Sequence, residues 1–304
     1  VLTIYVEFVY DVYRIFSDFC LEHETFCSEN RNQTLIHVLN LFIIFLKALL
    51  MHIAVDTSSK KATGGFNGPI FADSSFEFIP IPENPNNTTE TKTYSSLKAV
   101  NPKHGKFISD FVPHDIQDYI VHLDPDFSHF TYADPSNMKK SKRGGLLRWL
   151  SSGDYIFFVA SLVPYKKPPY ENHSRKEICK FQKRKMAKYI IGYFEIKDIL
   201  EFEKTKNKLK LLSPSNISKS TLNRIKHNSH SKRKHDSFIV AVGKKNRKTA
   251  LLRKAIQITT AGTPFRANST GKKFYGNVSY PRGFKRIRDE ERALELVKLA
   301  KKHS

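Results

Sequence analysis

Residues 143–162, RGGLLRWLSSGDYIFFVASL, decide how the chain is read. Gly144 and Gly145 lead into LLRWL, a short amphipathic helix that Ser151-Ser152-Gly153 brings to a stop. DYIFFVASL follows as an apolar run of strand length bounded by breakers, the pattern of a buried strand. A second run, KYIIGYFEI at 188–196, comes after a basic connector, and its Gly192 allows a bend or bulge. Two aromatic, β-branched strands joined by a charged loop predict neighbours in one sheet or barrel wall. The expected class is α+β: a mixed or barrel-like sheet with flanking helices.

Outward from this unit the texture changes. FIVAVG at 238–243 reads as a further strand. Residues 52–82 predict a strand, a turn around Gly64, Gly65 and Gly68, and a β-rich stretch; Pro69 directly after the last glycine favours a plain loop over a phosphate loop. Residues 83–104 are rich in Pro, Asn and Thr and read as an exposed loop or linker. Residues 261–304 read as a basic tail ending in an amphipathic helix, with Leu294, Val297 and Leu299 on or near one face.

The first fifty residues differ from the rest. They carry three basic and six acidic side chains, whereas the whole chain of 304 residues has a net charge of +22. TLIHVLNLFIIFLKALL at 34–50 is apolar, but it contains His37, Asn40 and Lys47 and is shorter than the roughly 20 apolar residues of a membrane helix. Met51 followed by HIAVDTSS resembles the opening of a cytoplasmic protein, which would make residues 1–50 an extension outside the native protein. A membrane anchor and an amphipathic N-terminal helix are the alternatives. Cys20, Cys27 and Cys179 offer no disulfide framework or zinc spacing in the main body, in keeping with an intracellular chain.

The charge points to the partner. Residues 201–304 hold 27 Lys and Arg against seven Asp and Glu, a net +20, which attracts polyanions and makes nucleic acid or a nucleotide the expected partner. Lys232, Arg233, Lys234, Lys244, Lys245, Arg247, Lys272, Lys273, Arg282, Lys285 and Arg286 are the candidate contacts. Phe274, Tyr275, Tyr280 and Phe284 lie among them, where they would stack on unpaired bases.

Residues 119–134, YIVHLDPDFSHFTYAD, carry the densest chemistry. His122, Asp124 and Asp126 at two-residue spacing would share one face of an extended strand, an arrangement suited to a divalent metal. Pro125 disturbs that geometry. The preferred reading has Asp124 and Asp126 capping turns while Phe127 and Phe130 anchor the loop. No metal ligand set and no cofactor is therefore expected. His122, Asp124, Asp126 and Asp134 remain the candidates for acid–base work. Arg143, before two glycines at a helix start, would converge with free N–H groups on a phosphate; the competing reading is a solvated basic turn. His227, His230 and His235 fall in KHNSHSKRKHD, read as a solvated loop, although His235 at the strand entrance is placed to reach a pocket.

Helix, Gly-Asp, strand, with Ser161 as the polar residue near the strand's end, is similar to PUA-like domains, including the EVE and ASCH groups. Those are small β-barrels that hold bases or nucleotides. The blocks HIAVDTS, GPIFADSSFEFIPIPE, HLDPDFSHFTYAD, RGGLLRWLSSGDYIFFVASL, YIIGYFEI and FIVAVGKKNRKTALLRKAIQI together resemble the Nucleotide modification associated domain 3 family over roughly residues 51–260. The resemblance aligns Phe66, Pro69, Glu77 and Pro82, then His122, Asp124, Asp126, Tyr132 and Asp134, then Arg143, Gly144, Gly145, Gly153 and Asp154 with family blocks. It implies a base-modification or defence setting. Arg143, Gly144, Gly145, Tyr132, Ser161 and His235 are the candidate nucleotide contacts. Recognition or processing of modified bases is the expected function. The alternatives are an enzyme acting on free nucleotides through the His122–Asp134 cluster and a membrane-tethered basic adaptor.

Overall fold

The structure, a computed structural model, describes residues 46–53, 67–136, 142–165, 184–205, 208–212, 216–234, 237–262, 264–276 and 283–304. They lie in one compact unit, Leu46–Ser304. Its spine is β7, Ala187–Thr205, a strand of 19 residues. The first half of β7 pairs antiparallel with β6, Tyr155–Pro164, and the second half with β9, Phe238–Gly243. Two parallel partners, β1 (Ala48–His52) and β2 (Gly68–Ile70), lie on β6. At one edge β11 (Phe284–Ile287) runs antiparallel to β1, and at the other β5 (Thr131–Pro135) runs antiparallel to β9. Adding β8 (Lys208–Leu211) and β10 (Leu251–Gln257), both on β7, gives a nine-stranded mixed sheet curled into a half-barrel. A separate two-stranded ladder joins β3 (Ile81–Pro82) to β4 (Val121–His122).

Two bulges in β7 account for much of the curl. The β6–β7 register slips between Phe158 and Val159, leaving Ile191 as the extra residue beside Gly192, and the β7–β9 register slips between Ile196 and Asp198. An extra residue on one strand bends it and increases its twist. Gly192 is needed there for room: a Cβ would lie 2.7 Å from the Ala250 carbonyl oxygen and 2.8 Å from the Phe127 ring. Side chains alternate along a strand, so Phe158 packs with Phe194 on one face of the sheet and Phe157 with Tyr193 on the other. Phe157, Phe158 and Phe194 are buried, each contributing about 1.5–3 kcal/mol relative to exposure.

Five helices accompany the sheet among the described residues: α1 (Lys142–Leu147), α2 (Lys219–Lys226), α3 (Ser229–Lys232), α4 (Ser269–Tyr275) and α5 (Glu290–Lys302). In α5, Asp289 accepts from the Arg292 N–H, with Glu290 and Glu291 in the first turn and Lys301 and Lys302 in the last. Both charge placements complement the helix dipole. Its buried face is Ala293, Leu296, Val297 and Ala300, at i, i+3, i+4 and i+7, while Leu294 is 41% exposed. The face expected from the sequence shared only Val297 with it.

Three boundaries differ from the sequence reading. The first strand begins at Ala48, ahead of Met51, and all five of its residues are buried because β6 and β11 flank it and both faces are covered. Residues 83–104 fold against the body instead of linking: Thr88, Glu90 and Tyr94 are buried, and the Tyr94 hydroxyl donates to the Pro80 carbonyl at 2.7 Å. Residues 284–302 supply β11 and α5 to the same unit. No helix among the described residues is long and apolar enough to cross a membrane. Residues 34–45 and all three cysteines lie outside the described residues, as do Gly64, Gly65 and Phe66.

Candidate functional site

The polar segment HLDPD opens in β4, where His122 pairs with Ile81. Two-residue spacing turns His122 and Asp124 inward, and both are buried. Asp126 does something else. Its Oδ1 accepts the backbone N–H groups of Ser128 and His129, both at 3.0 Å, and its Oδ2 lies 2.7 Å from His129 Nδ1. This is a turn cap, and His129 in turn stacks on His227 at 4.1 Å. Asp124 Oδ1 instead accepts from the Ala133 N–H at 2.8 Å and from Asn228 Nδ2 at 2.6 Å.

Asn228 also caps α3, accepting the His230 N–H at 2.9 Å. One side chain therefore fixes both Asp124 and the helix that carries His230. His230 is buried, its ring 5.1 Å from that of His122. Its Nε2 stands 3.6 Å from Asp124 Oδ2, beyond hydrogen-bond length, and its Nδ1 has no hydrogen-bond partner among the described residues. Beside them, on β5, the Tyr132 hydroxyl donates to Asp134 Oδ2 at 2.5 Å.

Glu83 orients His122 from behind. Its Oε2 lies 2.6 Å from His122 Nδ1, and Arg233 forks onto the carboxylate through Nε at 2.9 Å and Nη2 at 3.2 Å. Burial pushes the Glu83 carboxyl up, but the hydrogen bonds and charges of His122 and Arg233 outweigh it and hold the group down at about 2. Burial pushes His122 below the ordinary histidine value. A neutral His122 donates Nδ1–H to Glu83 and keeps its Nε2 lone pair for the interior. Burial, reinforced by His122 and Arg233, pushes His230 far down, and burial, reinforced by Asp134, pushes Asp124 far up. One ligand atom each from His122, Asp124 and His230 all lie within 4.8 Å of one another.

Of the residues expected to act, His122, Asp124, Asp134 and Tyr132 meet here and Asp126 turns away. The segment read as a solvated loop delivers His230, because Asn228 caps a helix and tucks the imidazole under the sheet. Glu83 and Asn228 are not among the residues expected from the sequence, and His230 lies in a helix and not in a solvated loop; an Asn two residues before a His is the local signal of that cap. Gly144 and Gly145 lie in α1, a helix of six residues packed on β5 and β9. A Cβ on Gly144 would come 2.5 Å from the Pro135 carbonyl oxygen, a packing requirement that needs no phosphate. Ser161 is buried on β6, separated from β5 in strand order by β7 and β9. The Arg143 side chain, His235 and Arg282 lie outside the described residues.

The basic candidates divide. Lys232 pairs with Glu90, Arg233 with Glu83, Lys244 with Glu195 and Lys273 with Glu295. Arg247 lies 4.0 Å from the centre of the Tyr193 ring and donates to the Tyr193 and Ala250 carbonyls, and Arg286 sits over Trp149. Lys234, Lys245 and Lys272 are exposed and Lys285 is half-buried.

Compared with known proteins, residues 47–302 match the family model described as Nucleotide modification associated domain 3, well over half of the chain. The chain belongs to that family. No curated protein and no solved structure matches it.

Proposed function

We propose, with membership of that family as the premise, that this protein acts on a nucleobase or nucleotide at the cluster of His122, Asp124, Asp134 and His230, and that it processes the base rather than only recognising it. The observation that carries this reading is two buried imidazoles, both pushed toward the neutral form, gathered with buried carboxylates. Such groups are prepared to accept and return protons or to bind an electrophile. At this cluster Tyr132, the aromatic residue expected as a nucleotide contact, is packed edge-on against Phe158 at 5.5 Å, so it does not offer its ring for stacking.

The test is to incubate the purified chain with DNA, RNA and free nucleotides, unmodified and base-modified, supplying a low-molecular-weight cell extract as the source of any co-substrate. Nucleosides are then analysed by mass spectrometry. The expected result is a changed mass for one nucleoside, lost in Asp134→Asn. Tight binding with every nucleoside mass unchanged would overturn processing and leave recognition.

The +20 charge of residues 201–304 supports nucleic acid as the carrier of that base. Binding through five or more phosphates gives a log–log salt slope of about −4 or steeper. A flat dependence would favour a free nucleotide as the substrate.

A further inference from the structure

We propose that His122, Asp124 and His230 hold one divalent transition-metal ion, His122 through Nε2, Asp124 through Oδ2 and His230 through an imidazole nitrogen, leaving open positions for water and substrate. The inference deepens the functional reading above by giving the cluster its reactive centre, but its geometric argument stands apart from that reading.

Three observations converge. The ligand atoms already lie within 4.8 Å of one another, so a single ion between them needs only side-chain adjustment to reach about 2.0–2.2 Å from each. Two of the three ligands, His122 and Asp124, are held from outside by partners that leave the inward atom available. Glu83 takes His122 Nδ1, and Asn228 with the Ala133 N–H takes Asp124 Oδ1. Carboxylate–histidine pairing of this kind fixes the tautomer and raises the basicity of the nitrogen that faces the metal. Finally, His230 is buried with Nδ1 unpartnered among the described residues and Nε2 3.6 Å from Asp124 Oδ2, so the imidazole is placed at the cluster without a short hydrogen bond to spend its lone pair on. A buried polar atom left in that state calls for an occupant.

The donor set narrows the ion. Two imidazoles and one carboxylate suit Fe²⁺, Co²⁺, Mn²⁺ or Zn²⁺, whereas Mg²⁺ and Ca²⁺ favour all-oxygen sites. Three protein ligands leave the coordination incomplete, the mark of a catalytic and not a structural centre. A metal there lowers the pKa of bound water or polarises a bound oxygen.

The experiment uses the full chain after chelator treatment, titrated separately with Co²⁺, Zn²⁺, Mn²⁺ and Mg²⁺ by calorimetry, with visible absorption followed for Co²⁺. The expected result is one Co²⁺ or Zn²⁺ per chain with a Kd below micromolar, and at least tenfold weaker Mg²⁺ binding. Glu83→Gln, which leaves all three ligands in place, is expected to weaken Co²⁺ binding about 10–100-fold. His230→Ala is expected to abolish it, and His227→Ala, which alters the outer His129 stack, to leave it unchanged. Circular dichroism on each variant separates lost binding from lost fold. Absence of stoichiometric binding to the unaltered chain overturns the site, whatever the variants do. Binding lost in His227→Ala but retained in folded His230→Ala also overturns it, placing the ion at the outer pair. Metal bound with no nucleoside modified would sink only the functional reading, and nucleosides modified without metal would sink only the site.

Discussion

Two buried glutamates six residues apart, Glu77 and Glu83, sit in opposite electrostatic settings. Glu77 accepts from backbone N–H groups, those of Val100 at 2.8 Å and Asn101 at 3.1 Å and that of Phe78. No cation pairs with it among the described residues, and burial pushes its carboxyl up to about 7 despite those bonds. Glu83 meets Arg233, 150 residues along the chain, together with His122, and is held down at about 2. Burial alone disfavours a carboxylate; burial with a cation delivered by long-range packing fixes one. The first glutamate pins a loop, and the second orients a histidine of the candidate site.

Removing the cation should have the largest effect on this contrast. Arg233→Ala is expected to cost about 3 kcal/mol at pH 7, because it strands a buried carboxylate. Glu83's depressed value contributes stability that is present above 4.5 and lost as pH falls toward 2. The difference between the two proteins in denaturant unfolding should therefore narrow over that range. A constant difference would show that Glu83 is not the group involved.

Glu77 should behave with the opposite sign. Its raised value gives stability that is full below pH 4.5 and lost as pH rises through about 7, a change of up to about 3 kcal/mol. Glu77→Gln should remove that slope while leaving the descent at low pH. A variant that keeps the slope would mean the backbone bonds already hold Glu77 ionised.

Asn228→Ala sharpens the comparison on the site side. It leaves Asp124 Oδ1 with the Ala133 N–H alone and uncaps α3, so a loss of about 1–2 kcal/mol is expected by thermal melting. The smallest effect belongs to a residue outside both settings. Leu294→Ala on the outer face of α5 should stay within about 0.5 kcal/mol, and a larger loss would mean that this face is covered.

Much of the framework was legible in the sequence. Continuous apolar runs gave β6, β7 and β9, Gly192 gave the bulge beside Ile191, and HLDPD gave a polar segment at the right place. The blocks that carry the family resemblance all fall inside the matched span, residues 47–302. Less was legible where two structures satisfy one pattern. Asp124 and Asp126 are equivalent in sequence, yet one caps a turn and the other faces the cluster. Apolar periodicity reports burial because each apolar residue gains by leaving water regardless of its partner. A buried polar residue survives only if particular atoms meet it. The chain by itself therefore determined which strands form and where polar chemistry concentrates. The convergence of Glu83, His122, Asp124, Asn228, His230 and Arg233 was decided only by tertiary structure, since the first three meet the last three across 104 residues of chain between Asp124 and Asn228 and 150 between Glu83 and Arg233.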